Sequence, residues 1–159
     1  MITLDIEVEA GDWAEAGAFP PLAQRAAEAA LTVAPDAPRD AVAATLLLSD
    51  DAAIRELNRA WRGLDKPTNV LSFPSGSPAP PEGPRHLGDI ALAYETVARE
   101  AEEEGKTFPD HAAHLVVHGV LHLLGQDHIE ETEADAMEAL EIAALARLGI
   151  ADPYRDLEL

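Results

Sequence analysis

Residues 114–128 read HLVVHGVLHLLGQDH, and the rest of the chain is organised around them. From 112 through 126 there is no Asp, Glu, Lys or Arg. A helix that apolar on most sides is buried against a sheet. Thr107 and Asp110 stand ahead of it at capping-box spacing, with Pro109 in the first turn, and Gly125 stops it. His118 and His122 are four residues apart, so their imidazoles lie one turn apart on one face. Gly125 can take a left-handed backbone angle and fold the chain back, which lets His128 approach the same point from a third direction. Three neutral imidazoles with an open fourth position form the layout of a catalytic zinc site. One Zn2+ is the expected ion, although nickel, copper and iron also accept imidazole. A lone histidine on such a helix is more often a hydrogen-bonded core residue. Three, with glycine where the turn needs it, argue against that reading. His114, one turn before His118, is either a partner of a ligand or a pocket or core histidine. Asp127 either orients a ligand or stabilises the turn.

Upstream, Ile2, Leu4, Ile6 and Val8 alternate with polar residues, the period of a half-buried strand. A Pro-initiated helix follows over 21–33. The apolar run 42–48 suits a strand covered on both faces. Asp50 or Asp51 caps a helix that ends near Arg62, along which Ile54, Leu57 and Trp61 form one stripe and Arg55, Arg59 and Arg62 the nearly opposite one. Short strands at 70–73 and 87–93 flank a Pro-rich loop. With a loop and not a helix between them they pair antiparallel, 70–73 at the sheet edge. A helix over 96–104 stops at Gly105. A last helix starts at a second capping box, Thr132 with Asp135, and ends near Gly149. The fold implied is α/β (α+β): a single-domain sandwich over 1–159, with a small mixed sheet of about four strands and about five helices, one of them a zincin-like metal helix.

Composition narrows the chemistry. The chain has 159 residues, 47% hydrophobic, which supports a packed core. It has no cysteine, so disulfides and thiolate metal sites are excluded. No signal-peptide pattern opens it and no apolar stretch spans a bilayer, which points to a cytoplasmic protein with no membrane partner. The net charge of −19 repels polyanions, so any nucleic acid must meet a local basic site.

The histidine spacing resembles the metzincin pattern H-E-x-x-H-x-x-G-x-x-H, but Gly119 occupies the place of the Glu that serves those proteases as general base. A peptide bond brings no nucleophile of its own, whereas RNA carries a 2′-hydroxyl beside each scissile phosphate. The missing carboxylate therefore shifts the weight from proteolysis toward phosphodiester chemistry. The segments LNRAWRGLDKPTNVLSFP (57–74), HLGDIALA (86–93) and HLVVHGVLHLLGQDH (114–128) closely resemble the YbeY family of bacterial rRNA-maturation endoribonucleases. That resemblance implies a single-strand-directed, zinc-dependent endoribonuclease in 16S rRNA maturation and ribosome quality control. The 16S precursor and the small ribosomal subunit would be its partners, with no DNA expected. It implies His118, His122 and His128 as metal ligands and Arg62 as the functional arginine.

The residues themselves support a basic site there. Five of the eleven basic residues, Arg55, Arg59, Arg62, Lys66 and Arg85, fall between 55 and 85. A guanidinium fork suits phosphate. Arg55 and Arg59 are read as partners of surface carboxylates, and Arg62, at the helix end beside a turn, as the functional cation. Ser72 either contacts substrate or is a plain strand residue. A zinc metallopeptidase and a non-catalytic ribosome-assembly factor braced by zinc are the competing readings.

Overall fold

The computed structural model describes residues 2–9, 13, 19–35, 37–38, 40–66, 68–75, 84–125 and 131–154, with backbone alone at 131–134. Among these residues nine elements follow in chain order: β1 (Ile2–Val8), α1 (Phe19–Val33), β2 (Val42–Ser49), α2 (Asp51–Arg62), β3 (Val70–Pro74), β4 (Arg85–Ala93), α3 (Tyr94–Glu103), α4 (Phe108–Leu123) and α5 (Glu131–Arg147). The sheet runs β1-β2-β4-β3. β1 pairs parallel with β2, and β2 parallel with β4. β3 pairs antiparallel with β4, Val70 opposite Leu92 and Phe73 opposite Asp89. The mixed sheet with an antiparallel edge strand expected above is thus present, and no helix of the described residues is long and apolar enough to cross a membrane.

The apolar run of β2 is covered on both faces. Val42, Ala44, Leu46 and Leu48 join the main core with α1, α4 and α5, while Leu47 packs with Ile54, Leu71, Ala91 and Ala93 beneath α2. α4 belongs to the main core, with Ala112, Ala113, Val116, Val117, Val120 and Leu121 all buried. Two glycines let the helix and the sheet edge close together. Leu87 is an extra residue in β4, where the register steps from His86 to Gly88. Gly88 has φ +149°, and a Cβ there would lie 2.3 Å from the Phe73 carbonyl oxygen and 2.8 Å from Leu123 Cδ2. A Cβ at Gly119 would meet Ile90 Cγ2 at 2.9 Å.

The caps explain why the elements end where they do. Asp50, not Asp51, caps α2, accepting from the Ala53 N–H at 2.9 Å. Asp51 serves α3 instead: its Oδ1 accepts from the Thr96 N–H at 3.1 Å and the Thr96 hydroxyl at 2.8 Å. Glu95 returns the bond, accepting from the Asp51 N–H at 2.9 Å. α3 therefore begins at Tyr94, slightly before the expected 96. α2 closes on Gly63 in the left-handed region, φ 69°. The Thr107 hydroxyl accepts from the Asp110 N–H at 3.3 Å, and Gly125 has φ 95° just past α4. The expected cap at Thr132 is corrected: α5 already begins at Glu131, which places Thr132 inside its first turn.

Candidate active site

α4 carries His118 and His122 in its second half, on the side facing the edge strand β3. Their Nε2 atoms are 3.1 Å apart, and the rings stand 4.6 Å between centroids. Two nitrogens each about 2.0–2.1 Å from one tetrahedral zinc would be separated by about 3.3 Å. The pair therefore already has the spacing of two ligands on one ion. His128 and Asp127 lie outside the described residues.

A buried carboxylate that the sequence reading missed sets the tautomer of His118. Glu141, on α5, is 1% exposed. Its Oε1 accepts from His118 Nδ1 at 3.3 Å and His114 Nε2 at 2.6 Å, and the Tyr154 hydroxyl donates to Oε1 at 2.8 Å. An ionised carboxylate only accepts, so His118 Nδ1 carries the proton and Nε2 keeps its lone pair for a cation. Burial alone would push the Glu141 carboxyl up. The hydrogen bonds from His114 and His118 outweigh it and bring the carboxyl down to about 2. The Tyr154 hydroxyl is pushed up by burial and by the Glu141 charge, so it stays a donor. Glu141 thus links His114 to His118. Glu141 was detectable in principle: it falls on the helical stripe of Met137, Ala144 and Leu145, where a carboxylate is out of place.

His118 and His122 line a cavity of about 340 Å³ together with Arg62, Thr68, Asn69, Val70, Leu71 and Ser72. These described lining residues include one formal cation and no carboxylate. The three arginines of α2 have separate fates. Arg55 Nε donates to Asp65 at 2.7 Å, and Arg59 makes a two-pronged contact to Glu56 at 2.8 and 2.9 Å. Each carboxylate raises its arginine's pKa and is itself lowered. Arg62 makes no ion pair among the described residues. Gly119 faces away from this cavity onto Ile90. A glutamate at that place would bring its Cβ within 2.9 Å of Ile90 Cγ2, so Ile90 would have to shift to admit it.

A further group, Glu100, Glu104 and His111, has ligand atoms within 4.8 Å of one another and can hold a metal ion. Its members are already engaged: Glu100 accepts from Asn69 at 2.9 Å and contacts His111 at 2.9 Å, while Glu104 pairs with Lys106 at 2.7 Å.

Residues 16–149 match the family described as Endoribonuclease YbeY. Proteins of that name are 54% identical over 153 residues in a Chelativorans species (96% of this chain, 93% of the relative) and 58% identical over 135 residues in Rhodopseudomonas palustris strain BisA53 (83% and 78%). The solution structure of TM1509 from Thermotoga maritima shares the fold, with a TM-score of 0.57, 22% identity and 98% of each chain covered.

Proposed function

The chain belongs to the Endoribonuclease YbeY family, and we propose that it cleaves single-stranded RNA internally at the cavity of His118, His122 and Arg62. His118, His122 and His128 would hold one zinc ion, which when bound supplies Lewis acidity toward a phosphoryl oxygen. The substrate is the 16S rRNA precursor met on the small ribosomal subunit in the cytoplasm, and residues 1–159 act as one hydrolase domain.

The observation that carries this reading is the lining of the cavity. Arg62 has no carboxylate partner among the described residues and shares the space with two facing imidazoles. In a protein of net charge −19, a polyanion is admitted only where a cation is left unneutralised. The Arg62 guanidinium binds the non-bridging oxygens and takes up charge that develops on them. Glu141 holds the His118 ring in one tautomer. The RNA 2′-hydroxyl lies beside the phosphate, so the lack of a glutamate at Gly119 is no obstacle.

Labelled single-stranded RNA and a labelled unstructured polypeptide, each incubated with zinc-loaded protein with and without a chelator, test this. Chelator-sensitive cleavage of the RNA alone is expected. Cleavage of the polypeptide alone would support a peptidase, and cleavage of neither a binding role.

A further inference from the structure

Trp61 is 73% exposed, the most exposed of the large apolar side chains among the described residues. It continues the α2 stripe that begins with Ile54, fully buried, and Leu57, half-buried. Helical spacing alone would turn it inward, yet α2 carries it to the end of the sheet where, among the described residues, one ring meets it. That ring is Phe73 of β3, with centroids 6.3 Å apart and planes at 60°. Such an edge contact braces the indole and leaves much of its surface open.

Beside the indole lies a cavity of about 610 Å³, walled by Leu47, Leu57, Trp61, Phe73 and Pro74. Ser72 lines both this cavity and the one holding His118 and His122, so the two adjoin across β3. Trp61 and Arg62 are consecutive, one bordering each cavity. The lining of the aromatic cavity also includes Asp89, the cross-strand partner of Phe73 and 3.7 Å from His86. A carboxylate there opposes a phosphate but not an uncharged ring. A nucleic acid strand has phosphates and flat bases in alternation, and these adjoining cavities offer one place for each.

We propose that Trp61, braced by Phe73, is a stacking platform for one nucleobase of single-stranded RNA, next to the phosphate held by Arg62. The inference rests on the endoribonuclease reading and adds a base subsite to it. Stacking on an indole is tolerant of sequence, since every base presents a flat face. It also selects unpaired strands, because a base within a duplex has no free face to offer.

The test uses the zinc-loaded full chain and a labelled single-stranded RNA. Trp61→Ala is expected to raise KM about tenfold with a far smaller change in kcat, and Trp61→Phe to keep KM within about twofold of wild type. Because the side chain is exposed, both variants should keep the wild-type Tm. Single abasic sites are then walked along the RNA. At one position near the cut, base removal should raise the wild-type KM as much as Trp61→Ala does, and add nothing further in that variant. The chain has two tryptophans, and Trp13 is buried. A non-cleavable 2′-O-methyl oligonucleotide should therefore quench Trp61 emission in wild type and leave that of Trp61→Phe unchanged. A wild-type KM for Trp61→Ala, or abasic penalties that add fully to it, would overturn the subsite while leaving RNA cleavage intact, and would turn the patch over to a protein partner. If wild type cuts no RNA at all, the endoribonuclease reading fails first and the subsite with it.

Discussion

Replacing Glu141 with glutamine tests whether a buried carboxylate organises the site. The change keeps the shape and removes the charge. In the folded protein the carboxyl stands at about 2 against an ordinary 4.5, because donors from His114 and His118 outweigh its burial. A folded pKa below the unfolded one gives stability that is present in full above about pH 4.5 and is lost as pH falls toward 2. Glutamine offers one accepting oxygen, and its NH2 group turns two donor hydrogens toward donors. Losing hydrogen bonds to a charged acceptor, Glu141→Gln in the metal-free protein should lower the urea unfolding free energy by about 1.5–3 kcal/mol at pH 7. The gap to wild type should hold to about pH 4.5 and shrink below it. With the His118 tautomer no longer held, zinc affinity measured against a competing indicator should drop about 10–100-fold. Wild-type stability and wild-type zinc affinity in this variant would show that Glu141 neither stabilises the fold through its charge nor sets the ligand.

Gly119→Glu should destabilise the protein by at least about 1–3 kcal/mol in urea and confer no peptidase activity, since its Cβ alone would meet Ile90 at 2.9 Å. Asp51→Ala removes the side-chain acceptor at the start of α3 and should cost about 1 kcal/mol in the same assay, with zinc content unchanged. His122→Ala should lose bound zinc by elemental analysis and RNA cleavage together, while circular dichroism stays that of wild type.

Much of this was legible in the residues because it depends on local rules. The order of the nine elements follows from alternation, apolar runs and caps. The placement of α4 follows from the absence of charge over 112–126. The Arg59 pairing with Glu56 follows from helix spacing, while Arg55 pairs with Asp65, past the end of α2. What escaped depends on contacts distant in sequence. Glu141 meets His118 across 23 positions because α5 docks on α4. Asp51 is drawn from its own helix to α3 by Thr96, 45 positions away. The absence of a glutamate at Gly119 was visible as chemistry, but the close approach of Ile90 of β4 was not. Trp61 reads as core by helical spacing, and only the position of the sheet edge shows that its stripe runs past the core.

The measurement that bears most directly on the central claim is the rate of single-stranded RNA cleavage by Arg62→Glu at a zinc content matched to wild type. Cleavage should be abolished with the fold intact, while Arg62→Lys recovers part of the rate, because it keeps the charge and loses the fork. Chelator-sensitive cleavage by Arg62→Glu at the wild-type rate would contradict the role of this cavity in handling the RNA phosphate.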